Sequence, residues 1–379
     1  MSKGQIYKSE LLKFKDDVTG VEVTKLTDNQ GNTIHPYFTQ PLLSSDGKYL
    51  LTASDRTGLW QLYSLELETG KMVELTDDSC VAPQSPCLDS NRMIAYYWNG
   101  LVLKSVDLSN LIEREIYKVP EGFHPGILSI SADGEALDFV YIENLNLSTL
   151  TGKLYSGMSE TLYRRPSCVV MRVKPYEGTA EAIWGEREWI SHVITSPVDK
   201  DIIVFCHEGD WHLVQRTWVI KASTHEIWPI IETKRYLERA GHEFFTKKGT
   251  LVTQYGIRET TNSEWKCSDV FIKPDGSGMR KYDYYPGPKP MHIQVNSTET
   301  IGVGDCAYID SDFKDARNFM ILIKYEDNQA KQKLLCRHNT SWKYQYSHPH
   351  PIFTNDDRYV IFGSDRDGYN NIYMVPVQW

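Results

Sequence analysis

A short unit recurs along this chain, and it limits the fold more than any other feature. Residues 42–67, "LLSSDGKYLLTASDRTGLWQLYSLEL", read as strand, turn, strand, turn, strand; "TGKMVELTDD" then adds another turn and strand. Asp46-Gly47 is a hairpin signal, and Arg56-Thr57-Gly58 is a second loop. Counterparts of the first turn follow in "LDSNRMIAYY" around Asp89, "SADGEALDFVY" around Asp133 and "SPVDKDIIVF" around Asp199. Three more lie in "TKKGTLVTQY" around Gly249, "NSTETIGVG" around Thr298 and "TNDDRYVIFGS" around Asp356. Many short strands repeating every ~40–50 residues, with no helical period between them, indicate a β-propeller of four-stranded blades.

The expectation is therefore an all-β, seven-bladed β-propeller forming a single domain over residues 1–379. Its blades are expected at about 35–78, 80–118, 124–184, 189–232, 240–283, 290–336 and 347–379. The last is one strand short. "VEVTKLTD" at 21–28 resembles the outer strand "KMVELTDD", so the N-terminal strand is expected to complete the last blade and close the ring, sparing an open edge. Two stacked β-sandwiches are the alternative. Loops such as 144–165 intrude on the period.

The net charge of −9 argues against nucleic acid and anionic membranes as partners. An anionic ligand would need local positive charge. The seven cysteines are odd in number and have no CxxC spacing, which argues against a disulfide framework or a thiolate zinc site. The opening "MSKGQIYKSELLKFKDD" lacks the apolar run of a signal peptide, and no apolar run is long enough to span a bilayer. A cytoplasmic location is expected.

A propeller hosts scaffolds and enzymes alike, so function has to come from particular residues. "QYSHPHPIF" at 345–353 places His348 and His350 at i and i+2. If this stretch enters the innermost strand of the last blade, both histidines project to one side. Gln345 lies just before them. Imidazoles bind first-row transition ions, and a glutamine oxygen suits a harder ion such as Mn²⁺. On its own, HxH fits a pair of hydrogen-bonded histidines in a turn better than a metal site. Repeat counting alters that balance. His292 stands six residues before Thr298, as His350 stands six before Asp356, and His242 stands seven before Gly249. Core packing gives no reason for histidines at equivalent places in three consecutive units.

"FCHEGDWHLVQRTW" adds His207, Glu208 and Arg216. His207-Glu208 reads equally well as a surface loop, whereas an arginine opening a strand can bind a carboxylate bidentately. "RHNTSW" at 337–342 reads as a polar loop. Asp305, Asp310, Asp312 and Asp315 read as a solvated acidic loop without a role. No G-x-S-x-G, P-loop or dinucleotide fingerprint occurs in a fitting context.

Together these residues resemble the oligogalacturonate lyase family, over nearly the whole chain. The likeness runs from "DDVTGVEVTKLTD" through "HPYF", "FCHEG", "GHEF" and "MHIQVN" to "RHNTSWKYQYSHPHPIFTNDDRYVIF". It implies a Mn²⁺ ion, or another divalent ion, held by His292, Gln345, His348 and His350. It also implies His242 as the general base and Arg216 as the substrate clamp; His207 and Arg337 are expected as further substrate contacts. The implied partner is a small anionic oligosaccharide, and the implied reaction is β-elimination. The C5 proton beside the uronate carboxylate is removed and the O4-linked sugar leaves, giving 4-deoxy-5-keto-uronate. Two other readings remain open at this point: the same chemistry on another uronide, and a non-catalytic propeller module like the TolB repeats.

Overall fold

The computed structural model describes residues 3–151, 153, 155–234, 236–284, 289–308 and 318–379. The described residues are almost all β or loop, with the helix Met158–Arg164 in the long insertion after Glu143 and a 3₁₀ turn at Gln345–Ser347. It divides into two compact units: residues 1–115, 286–326 and 331–379, and residues 116–285 with 327–330.

The recurring turn has a common physical cause. Ser44 Oγ donates to Asp46 Oδ1 (2.6 Å), the Lys48 amide donates to the same oxygen (3.0 Å), and the Tyr49 amide donates to Ser44 Oγ (2.9 Å). Ser131 and Asp133 repeat this before Ala136, and Thr354 and Asp356 repeat it before Tyr359. Each turn is therefore closed by a hydroxyl and a carboxylate two residues apart, short side chains that bond the local backbone and end one strand before the next begins.

In the first unit, antiparallel strands Thr33–Ile34, Tyr49–Ser54, Gln61–Glu66 and Met72–Glu74 form one sheet, with Ile6–Tyr7 added outside Met72–Glu74. The strand expected near residue 42 is reduced to a single bridge, Leu43 with Leu50; the inner strand begins earlier, at Thr33. A second sheet spans Cys87–Lys118, and Lys289–Val295, Ile301–Tyr308, Phe319–Glu326 and Gln329–Arg337, whose first two residues group with the second unit, make another antiparallel run. In the last sheet, Ile352–Phe353, Tyr359–Ser364 and Asn371–Pro376 continue into Glu22–Lys25, with Thr24 opposite Met374, and then into Leu12–Lys15.

The second unit holds a sheet over Phe123–Glu186, one over Ile190–Pro229, and the antiparallel run Glu238–Phe245, Leu251–Ile257, Lys266–Ile272, Arg280–Asp283. Asp283 also pairs in parallel with Gln329 of the same unit, so that, among the described residues, six sheets are counted, one of them eight-stranded.

Burial follows strand position. Middle strands such as Phe319–Glu326 ("FMILIKYE") are apolar on both faces, because sheets pack against each side. Outer strands such as Glu113–Lys118 ("EREIYK") and Thr179–Glu186 ("TAEAIWGE") are polar and largely exposed, which discourages pairing with other chains. All seven cysteines are free, as their odd number and spacing suggest, and among the described residues no helix is long and apolar enough to cross a membrane.

Candidate functional site

His292, His348 and His350 come together in the first unit, all buried, with one ring nitrogen of each within 4.8 Å of the others. His292 sits on Lys289–Val295, whose register against Ile301–Tyr308 is broken by bulges on either side of Pro290. Bulges re-aim side chains in this way. The other two histidines reach the site differently from the expected i, i+2 alternation. The strand begins only at Ile352, because Pro349 and Pro351 cannot donate to a ladder and His350 takes a left-handed backbone (φ 46°). His348 caps the 3₁₀ turn Gln345–Ser347, its amide bonded to the Gln345 carbonyl (3.3 Å). Gln345 is half-buried in that turn.

Asp305 organises the cluster, which corrects its reading as a solvated loop residue. Its side chain is 0% exposed and accepts from His292 Nδ1 (2.8 Å), the His292 amide (2.7 Å) and the His350 amide (3.2 Å). Burial opposes its charge, but His292 outweighs burial and holds the carboxyl below its ordinary value. With Nδ1 committed to Asp305, His292 is left in the tautomer that presents Nε2, the usual carboxylate–histidine arrangement behind a metal ligand. Asp310, Asp312 and Asp315 lie outside the described residues.

The surroundings are apolar. Phe38 stacks on His350 (5.5 Å, 16°), Tyr37 meets it edge-on (5.0 Å), and Trp342 packs on His348 (4.9 Å). The segment "HPYF" is tied down by Gln294, which donates to the Phe38 carbonyl (3.3 Å) and accepts from the Phe353 amide (2.6 Å). Burial, then the proximity of His292, lowers His348 to about 4, so its ring stays neutral. His348 Nδ1 is buried without a hydrogen-bond partner. A neutral His348 with an orphaned buried nitrogen, beside two further imidazoles, suits a first-row divalent ion. The residues fit a metal.

The "RHNTSW" loop serves this wall. The Thr340 amide donates to His338 Nδ1 (3.1 Å), Asp365 accepts from Thr340 and Ser341, and His338 packs on Trp342 (5.6 Å). Arg337, at its start, pairs with Asp17 (3.0 Å) and lies over Phe319.

The second unit brings His242 and Arg216 into one network. Arg216 is 2% exposed; its Nη1 donates to Glu208 (2.7 Å) and its Nε to Glu243 (3.0 Å). Ser191 donates to the other oxygen of Glu208 (2.7 Å). Burial works against Glu208, but Arg216, His192 and Ser191 hold it down at about 2; Glu243 is lowered further, against burial, mainly by Arg216. His242 follows a break in register after Gly241 and has a left-handed backbone (φ 50°). This turns it out of the alternation that buries Glu243, and leaves it partly exposed. Its Nδ1 contacts Gln254 Oε1 (3.3 Å), so Nδ1 carries the proton and Nε2 is the basic nitrogen. Trp211 meets His242 edge-on (4.7 Å) and lies under Arg216 (5.5 Å). His207 ends the strand Ile202–His207, bonded through Nε2 to Glu186 (2.7 Å).

His192, Cys206 and Glu243 also lie close enough to share an ion. Burial pushes the Cys206 thiol up, and Glu243 is already engaged by Arg216, so this trio lacks the thiolate a metal needs. Glu243, His192 and Trp211 escaped the sequence reading. A glutamate placed directly before two phenylalanines in "GHEFF" was the available signal for Glu243.

Comparison with known proteins gives the family. The family model described as oligogalacturonate lyase matches residues 1–378. An oligogalacturonate lyase of Dickeya dadantii is 28% identical over 390 aligned residues, covering 100% of this chain and 98% of its own. A solved oligogalacturonate lyase in complex with manganese superposes with a TM-score of 0.88 at 27% identity, covering 100% and 99% of the two chains. A Vibrio parahaemolyticus oligogalacturonate lyase structure gives the same TM-score and identity, with 99% of each chain covered. The chain belongs to the oligogalacturonate lyase family.

Proposed function

We propose that this protein is a metal-dependent lyase that cleaves oligogalacturonides by β-elimination, and that the ion is Mn²⁺. The observation that carries the reading is the buried three-histidine cluster braced by a fully buried Asp305, in a chain of this family. The ligands are His292, His348 and His350, with Gln345 the fourth. Bound there, the ion supplies the positive charge that lets a uronate carboxylate tolerate the charge developing beside it.

The remaining roles belong to the chain. His242 Nε2 takes the C5 proton; an imidazole is half-neutral near pH 6.5 and accepts a proton readily around neutrality. Gln254 holds the ring in the tautomer this needs. Arg216 is the clamp of this reading, and contact with a substrate carboxylate requires that carboxylate to replace Glu208, the more accessible of its two partners. His207 and Arg337 are further substrate contacts once they exchange Glu186 and Asp17 for sugar groups. The architecture we infer is a single seven-bladed propeller, the eight-stranded sheet counting as two blades and the N-terminal strand Glu22–Lys25 completing the last. We place it in the cytoplasm.

The test is turnover of digalacturonate with and without added Mn²⁺, followed by release of the keto-uronate, beside metal analysis of the purified protein. Metal-dependent release and about one ion per chain are expected. Absence of turnover on any galacturonide ends the reading; preference for another uronide in a panel redirects it; and protein that never takes up stoichiometric metal points to a binding module.

A further inference from the structure

The second unit contains a column of stacked arginines and tryptophans that the reaction described above leaves unused. From Trp211 it continues to Arg239 (5.9 Å to the ring), then Trp265 (4.6 Å from Arg239), and then Arg258 (4.4 Å from Trp265). Two glycines make room for it. A Cβ on Gly241 would come within 2.3 Å of the Trp211 ring, and one on Gly256 within 2.9 Å of Arg239 Nε and 3.2 Å of Trp265. Gly256 stands opposite Arg239 in the sheet.

Arg239 differs from Arg216 in what surrounds its charge. Its recorded side-chain hydrogen bond is a 3.5 Å approach of Nη2 to Cys267 Sγ, and among the described residues it has no acidic partner. Arg258 spends Nε on the Tyr236 carbonyl and Nη1 on that of Thr261 (2.7 Å), again without an acid. In a chain of net charge −9, two arginines that fold without a carboxylate are out of keeping with their surroundings. A guanidinium lying over an indole keeps its edge donors for a planar bidentate acceptor. It is also already ordered, so binding loses little side-chain entropy.

Arg239 lies three residues before His242 on Glu238–Phe245, about 10 Å along an ordinary strand. The register break after Gly241 brings both side chains to the same indole, that of Trp211. We propose that Arg239, held between Trp211 and Trp265, binds the carboxylate of a galacturonate unit next to the reacting one, and so sets preference among oligouronides. The inference rests on the galacturonide reading of the preceding section. Arg258 supports it from behind as a second cation on the same tryptophan.

The experiment is steady-state kinetics of the Mn²⁺-loaded full chain on di-, tri- and tetragalacturonate, for wild type, R239A and R239Q, with melting temperature and metal content measured in parallel. A charged hydrogen bond of this kind corresponds to roughly ten- to hundredfold in KM. That rise is expected on at least one chain length, with kcat within about twofold, metal content unchanged, and a weaker dependence of KM on salt. R239Q keeps much of the packing volume and decides the matter if R239A does not fold. An unchanged KM at every length overturns the inference while leaving the lyase reading intact. A loss of kcat at constant KM also overturns it, by moving Arg239 to the reacting carboxylate. Wild-type protein that turns over no galacturonide overturns both.

Discussion

The two clusters solve opposite electrostatic problems. In the first unit, three imidazoles surround a single carboxylate, and burial keeps His348 uncharged, so the site is short of counter-charge and ready for a cation. In the second, Arg216 is shared between Glu208 and Glu243, so its guanidinium is already paired and a substrate carboxylate has to displace Glu208 to reach it. A buried site left incomplete recruits a ligand directly; a buried site already paired has to exchange a partner for it. Charged and polar residues thus serve recruitment in one place and exchange in the other.

The contrast breaks most sharply at the histidines. H348A is expected to lose both metal and turnover. H242A is expected to keep its metal and lose roughly 10²- to 10⁴-fold in kcat, the range for removing a general base. Metal analysis beside kcat separates them, and metal loss in H242A would mean that base and ligand have been exchanged.

Arg216 comes next. R216M leaves two buried carboxylates without a cation, and such losses cost about 3–5 kcal/mol. Urea denaturation at pH 7 reads this directly. The pH dependence sharpens it. Glu208 is lowered from 4.5 to about 2 in the folded chain, so its contribution is present above about pH 4.5 and is lost as pH falls towards 2. Wild-type stability should decline across that window, and the decline should flatten in R216M. An equally steep acid loss in the variant would mean that Arg216 does not hold these carboxylates.

D305N is the mildest change. It keeps an acceptor for His292 and removes the charge behind it, and outer-shell changes of this kind cost about 10- to 100-fold in metal affinity. Titration with Mn²⁺ measures it. Unaltered affinity would reduce Asp305 to a packing role.

What the sequence revealed follows how locally each feature is encoded. The Ser/Thr-x-Asp turns at 44, 131 and 354 were legible because their hydrogen bonds lie within five residues. They provided a ruler, and the ruler found His292 and His242. Asp305 was misread because "GDCAYIDSDF" runs into an acidic stretch, and only the pairing of Ile301–Tyr308 with Lys289–Val295 reveals that its first aspartate faces a histidine. The arrangement of His348 and His350 was read as strand alternation, whereas two prolines and a left-handed backbone produce it. Proximity across a sheet and the aim of a bulged strand are tertiary facts, and no spacing rule carries them.

The pairing of Thr24 with Met374 also has a consequence for how the chain folds. The strand Glu22–Lys25 and its partner Asn371–Pro376 are separated by most of the sequence. Bringing such distant segments together costs on the order of 5 kcal/mol in loop closure, which only the finished sheet can offset. Until Asn371–Pro376 arrives, Glu22–Lys25 therefore keeps one edge unpaired, while the lysine-rich Leu12–Lys15, "LKFK", covers only the other.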